Sequence, residues 1–285
     1  MKKILLVGLC FVFMLSIGIM AFAAGPGAGQ SGASISLGYE GAYLSYKEAN
    51  SLDGTTLDKD TGWLNGGSAE ARYDAAIAGV PFFVRGTLDF LGSDHARYTG
   101  SLQDGTPLRM STKESIAKTE FDLGIKVWND RGGTLAFYGG LGYRWWDRGA
   151  DNLPDYMEKY TWGFGAVGAN VAWRITDRFV LALDTAALIP ISPKMKTDIA
   201  GLVDVSTFKI KSRPGYRVQL PATYDIYVKK GFAVFAFATP YYERWNLGQS
   251  PTVTLTSGGH PDAFAFEPTS HTDLFGTTAG LGVRF

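Results

Sequence analysis

The chain has 285 residues with 27 basic and 27 acidic side chains, so no global field draws it to nucleic acid or recruits it to anionic lipid. Its single cysteine, Cys10, lies close to the N-terminus, which excludes disulfides, thiolate metal sites and a cysteine nucleophile from the rest of the chain. Glycine at 36 residues and aromatics at 14% suit a membrane barrel, with glycine where strands crowd and aromatics at the two interfaces.

Met1-Lys2-Lys3 is a short basic head, residues 4–20 are apolar, and Ala21-Phe22-Ala23 is an A-x-A cleavage site. These features predict a signal peptide over 1–23, a Gly-rich linker over 24–33 and one domain over 34–285. Without Lys2 and Lys3 the balance is 25 basic to 27 acidic, a net of −2. Beyond the leader no apolar run approaches the ~18 residues of a spanning helix.

Ten strand-like runs follow. The first, 35–47, sets Ile35, Leu37, Tyr39 and Tyr43 against Ser36, Glu40 and Ala42. The second, 68–78, sets Tyr73 and Ile77 against Glu70, Arg72 and Asp74, and Gly79-Val80-Pro81 reads as a tight turn. The third, 82–91, carries Arg85 and Asp89 on its polar face. The fourth, 116–128, carries Lys118, Glu120, Asp122 and Lys126, and a turn sequence over 129–133 follows it. The fifth and sixth are 134–146 and 160–173, with a phase slip read near Val167-Gly168. The seventh, 179–189, carries Asp184. The eighth, 216–228, sets Tyr224, Ile226 and Val228 against Arg217, Asp225 and Tyr227, and Pro221 implies a bulge or kink there. The ninth is 232–245. The tenth, 271–285, ends with Leu281, Val283 and Phe285 on one face and Arg284 on the other.

Each run is long enough for a tilted strand to cross a bilayer. Short gaps alternate with long ones, and the count is even. This predicts an all-β protein: a transmembrane antiparallel up-and-down β-barrel of about ten strands, with short periplasmic turns and long outer loops. A signal-peptide-exported barrel of this type belongs in the outer membrane of a Gram-negative cell. Its final strand, ending at Phe285, would be read by the barrel-assembly machinery. Two loops carry further hairpin patterns, over 197–211 and around Ser257-Gly258-Gly259-His260-Pro261-Asp262.

The inward faces mix both signs: Glu70, Arg72, Asp74, Arg85, Asp89, Lys118, Glu120, Asp122, Lys126, Arg217, Asp225 and Arg284. Charges removed from bulk water persist when paired, so the expectation is a charge-plugged narrow lumen. A selective pore would line its constriction with one sign. Arg144-Trp145-Trp146-Asp147-Arg148 and Tyr241-Tyr242-Glu243-Arg244-Trp245 fall at outer strand ends. Their aromatics read as the upper girdle, and Arg144, Arg148 and Arg244 as candidates for lipopolysaccharide phosphates, whose geometry guanidinium matches. Asp94 and His95 are the weak candidates for a base and its orienter. No metal site, cofactor or nucleic-acid partner is expected, and the oligomeric state is open.

The ten-strand layout, the segment 120–128 (Glu-Phe-Asp-Leu-Gly-Ile-Lys-Val-Trp) and the ending 277–285 (Thr-Thr-Ala-Gly-Leu-Gly-Val-Arg-Phe) resemble the omptins, ten-stranded outer-membrane endopeptidases. The resemblance implies an acidic pair in the loop after strand three and an Asp/His pair after strand seven. The first loop offers Ser93-Asp94-His95-Ala96-Arg97 and Asp104 without the family's alternating aspartates before a tryptophan. The second holds Asp198 and Asp204 but no histidine. No catalytic residue carries across. The leading expectation is a non-enzymatic barrel with exposed outer loops and a structural or surface-interaction role. The alternatives are a narrow porin-like channel and an omptin-like endopeptidase with a rearranged site.

Overall fold

The computed structural model describes residues 32–50, 53–101, 106–150, 156–199 and 203–285. The expected signal peptide, the expected linker before Gly32 and Asp104 lie outside them. The strands are β1 (Gly32–Ala49), β2 (Thr56–Ile77), β3 (Val80–Ser101), β4 (Pro107–Asn129), β5 (Gly133–Ala150), β6 (Tyr156–Arg174), β7 (Phe179–Ile199), β8 (Val203–Lys209), β9 (Lys211–Gln219), β10 (Ala222–Lys229), β11 (Phe232–Gly248), β12 (Val253–Ser257), β13 (His260–Ala265) and β14 (Thr269–Arg284).

From β1 to β7 each strand pairs antiparallel with the next. β8, β9 and β10 together form one interrupted barrel strand alongside β7, and β9 and β10 also pair with β11. β11 pairs with β14, and β14 pairs with β1 from Ser34↔Arg284 to Ala49↔Thr269. Among the described residues this closes a ring of ten strands. Closure gives edge backbone groups partners that lipid cannot supply.

Pro221 accounts for one break in the eighth barrel strand. It has no N–H to donate, while its carbonyl accepts from Ala182 N–H at 2.7 Å. A second irregularity lies beside it: Ile226 is an extra residue between Asp225 and Tyr227. The bulge turns Tyr227 outward to 52% exposure, so its expected inward position is corrected. The slip expected near Val167-Gly168 is also corrected. Pairing with β7 is regular there, and the irregularity falls instead between Thr161 and Gly163, opposite Ser192 and Pro193. The first short turn is Ala78-Gly79, both with positive φ (51° and 82°), so Val80 and Pro81 already belong to β3. β1 likewise begins at Gly32, inside the span read as linker.

β2 and β3 have 22 residues each and β4 has 23. At ~3.3 Å per residue and a tilt near 40°, 22 residues rise about 55 Å, well beyond a hydrocarbon core of about 30 Å. The outward side chains mark where lipid would lie. Trp63, Phe90, Tyr143, Tyr216 and Phe275 form one exposed aromatic ring, and Trp128, Trp173, Tyr224 and Phe285 form another near the short turns. Phe275 and Phe285 are ten residues apart on one face, which is about 25 Å of height. Above the upper ring the barrel continues as a crown. The two expected outer hairpins are there: β7 with β8, and β12 with β13, the latter turning at Gly258-Gly259.

Candidate functional site: the filled lumen and the crown above it

The lumen is organised in tiers, because inward positions of adjacent strands stand at matching heights. Lowest are Arg284–Asp225 at 3.3 Å, Arg72–Asp74 at 2.9 Å and Lys126–Asp74 at 2.7 Å. They line, with Glu70, a cavity of about 1130 Å³ toward the short-turn end. Next, Arg85 bridges Asp122 at 2.9 Å and Asp184 at 3.1 Å, and Asp184 also accepts from Tyr138 and Asn170. Above that, Arg217 meets Glu120 through two parallel hydrogen bonds of 2.5 and 2.8 Å. The highest tier centres on Glu243, which receives Lys118 at 2.6 Å and Arg144 at 2.9 Å; Lys118 also reaches Asp89 at 3.3 Å. Bidentate geometry and tyrosine donors compensate much of the cost of taking these charges out of water.

An aromatic layer closes the space above. Trp146 stacks on Tyr160 with centroids 4.8 Å apart, and Tyr46 meets Trp146 edge-on at 5.0 Å. Trp245 contacts Trp162 at 5.4 Å and Phe164 at 5.1 Å. All six rings are essentially fully buried. The Phe164 ring occupies the space beside Gly142 of the neighbouring strand, where any Cβ would sit 2.2 Å from the ring. The glycine there makes room for an aromatic to cross the wall.

This layer corrects the reading of the two aromatic clusters. Successive residues on a strand point to opposite faces, so Trp145 and Trp146 cannot both face lipid. Trp145 and Tyr242 face out, while Trp146, Tyr241 and Trp245 face in. Arg144 and Arg148 are corrected on the same ground. They are 1% and 4% exposed and paired inside the barrel, where no lipid phosphate reaches them. Arg244 does face outward, and it pairs with Asp273 at 3.4 Å. Lys194, Lys196, Lys209, Lys211 and Arg213, which make the chain after the seventh barrel strand basic, lie exposed on the outer wall above the upper ring, on β7, β8 and β9.

Above the aromatic layer, inward side chains of the crown converge on Arg148. It contacts Asp60 at 3.1 Å, Glu158 at 3.1 Å and Glu48 at 3.7 Å. Glu267, from the segment joining β13 to β14, accepts from Tyr160 at 2.7 Å. Glu114 accepts from the Trp146 indole, and Asp58 from Tyr98. Glu48, Asp58, Asp60 and Glu114 lie in phase with the inward faces already recognised on β1, β2 and β4. Continuing those three alternations past bilayer length would have found these four, whereas the bulge before Tyr98 and the position of Glu267 outside any strand put both beyond that reasoning.

Asp94 and His95 sit elsewhere. They are the two residues that oppose the single Lys113 in a β3 bulge between Ser93 and Ala96, and both are exposed on the outer wall. There His95 lines a shallow groove with Arg97 and Arg109. Among the described residues no three His, Cys, Asp or Glu side chains come together as a metal site. His260 and Asp262 lie on the exposed β13, away from the buried Glu267.

No protein-family model and no curated protein sequence matches the chain. Solved structures do. The outer membrane protease OmpT from Escherichia coli is 12% identical, with a TM-score of 0.63 over 90% of this chain and 96% of that one. The translocator domain of the autotransporter NalP from Neisseria meningitidis is 10% identical, with a TM-score of 0.46 over 98% and 97% of the two chains. Outer membrane protein OprG from Pseudomonas aeruginosa is 11% identical, with a TM-score of 0.38 over 91% and 98%. At 12% identity the likeness to OmpT is one of fold. The chain is an outer-membrane-type β-barrel with an omptin-like architecture of ten antiparallel strands.

Proposed function

We propose that this protein is a non-conducting outer-membrane barrel of a Gram-negative envelope, exported by the signal peptide over 1–23, that serves a structural or surface-interaction role through its crown. The observation that carries this reading is the fully buried aromatic layer stacked on the tiered ion pairs. The exposed cations of β7, β8 and β9 suit the phosphates of lipopolysaccharide, together with the outward Arg244. Phe285, half-exposed at the end of β14, suits recognition by the barrel-assembly machinery. Asp94 and His95 point away from the crown interior, which weighs against a hydrolytic role for them.

The cavity at the short-turn end favours a second reading, a narrow channel. Planar-bilayer recording on the refolded protein separates the two. The expectation is no stable current step above the bilayer baseline, and a reproducible step would establish the channel instead.

A further inference from the structure

The crown holds six buried or half-buried carboxyl groups and one guanidinium. Glu48 comes from β1, Asp58 and Asp60 from β2, Glu114 from β4 and Glu158 from β6, with Arg148 from β5. Glu267 alone comes from the connection that carries the β12–β13 hairpin. One cation cannot balance six carboxylates in a site this dry. Three carboxyl oxygens, Asp58 Oδ1, Asp60 Oδ1 and Glu114 Oε1, receive no donor from the described residues, and Asp60 and Glu114 are 0% and 3% exposed. No three of these groups are arranged to hold a metal ion among the described residues. Burial in so dry a site favours the protonated form of the Glu48, Asp58, Glu114 and Glu267 carboxyls.

The hairpin is built to respond. Its base is closed by a reciprocal pair, Ser250 N–H to Glu267 O at 2.9 Å and Glu267 N–H to Ser250 Oγ at 2.8 Å. Val253, Leu255 and Ala265 pack against the buried apolar cluster, so the hairpin lies over the crown interior. Its far end is tied by Thr256 and Gly259 to Asp204 near the tip of the β7–β8 hairpin. Among the described residues, the only carboxyl group it contributes to the crown interior is that of Glu267, set among Tyr46 and Glu48 of β1, Asp58 of β2, Arg148 of β5, and Glu158 and Tyr160 of β6.

We infer that this cluster is a proton-operated latch: protonated Glu267 holds the β12–β13 hairpin down on the crown, and its ionisation as the pH rises releases the hairpin and opens the crown interior to solvent. Burial, followed by the neighbouring Glu158 charge, pushes the Glu267 carboxyl up to about 8. Burial and the Glu267 charge raise Glu48, and burial and the Asp60 charge raise Glu114, both well above the carboxylate range. Burial raises Asp58 as well. In the released hairpin Glu267 would return to its ordinary value of 4.5. The closed form therefore binds the extra proton. Between those two values each pH unit shifts the open-to-closed ratio about tenfold toward open.

The test uses the full chain with Cys10→Ser, so that introduced thiols stand alone. Ser270→Cys reports from the inner wall beside Glu267, where Ser270 is 2% exposed, and Ser257→Cys reports from the exposed hairpin tip. Maleimide labelling rates of the two are compared from pH 5 to 9.5, with Glu267 and with Glu267→Gln, an isosteric neutral side chain that keeps the Tyr160 hydrogen bond. Folding of each variant is checked by heat-modifiable gel mobility. The labelling rate of the Ser270→Cys thiol relative to that of the Ser257→Cys thiol should climb at least tenfold with Glu267 and stay at its acid value with Gln. Protection of the Ser270→Cys thiol up to pH 9.5 in the parent, or an identical pH profile in the Gln variant, would overturn the latch.

Discussion

Trp245→Ala is the most direct probe of the aromatic layer. The indole is 1% exposed, touches the Trp162 and Phe164 rings and donates to Glu243 at 2.6 Å. Truncating a buried Trp to Ala costs about 3–5 kcal/mol in lost contacts and residual cavity. The lost hydrogen bond to a charged acceptor adds about 1.5–3 kcal/mol, some of which neighbouring donors recover. Lys118 and Arg144 still hold Glu243, so the lower figure applies and the total is roughly 5 kcal/mol. With a urea slope near 3 kcal/mol/M, the unfolding midpoint of the vesicle-embedded protein should fall by about 1.7 M. Trp245→Phe keeps most of the packing and loses the donor, so it should recover more than half of that shift. A fall of less than about 0.3 M for Trp245→Ala would mean that the interior at this level is loose and wet, and the account of a packed seal would fail.

Arg217→Met should destabilise by about 3–5 kcal/mol, because it strands the Glu120 carboxylate in the lumen. Adding Glu120→Gln should return most of the loss; a double variant no better than the single would show that the pair is not the source. Replacing Lys194, Lys196, Lys209 and Lys211 together by Gln should weaken lipopolysaccharide binding and flatten its salt dependence in a flotation assay, since exposed charges act through a screened field. Unchanged binding and salt response would remove the outer wall of β7, β8 and β9 as the contact surface.

How much of this was legible in the chain depends on what alternation encodes. The period of two over Ile35, Leu37 and Tyr39, or over Leu281, Val283 and Phe285, places side chains on two faces and says which set suits lipid. It does not identify the inner face when both are apolar. Along β6, Tyr160, Trp162 and Phe164 look as lipid-facing as Val167 and Val171, and a slip between them is needed only if an aromatic face must point outward. The bulge at Ile226 has the converse effect, because an extra residue inverts every later position and leaves no mark in composition.

Sequence alone therefore determined the strands, their number, the asymmetry of their connections and the charged character of the inward face, all of which follow from local geometry at a period of two. Only the closed ring decided which partners meet. Arg148 reaches Asp60 across 88 residues of chain, Arg85 reaches Asp184 across 99, and Tyr160 meets Glu267 across 107. Those contacts depend on strand register, tilt and closure, and these are set by the summed pairing of all ten strands rather than by any residue's neighbours in the chain.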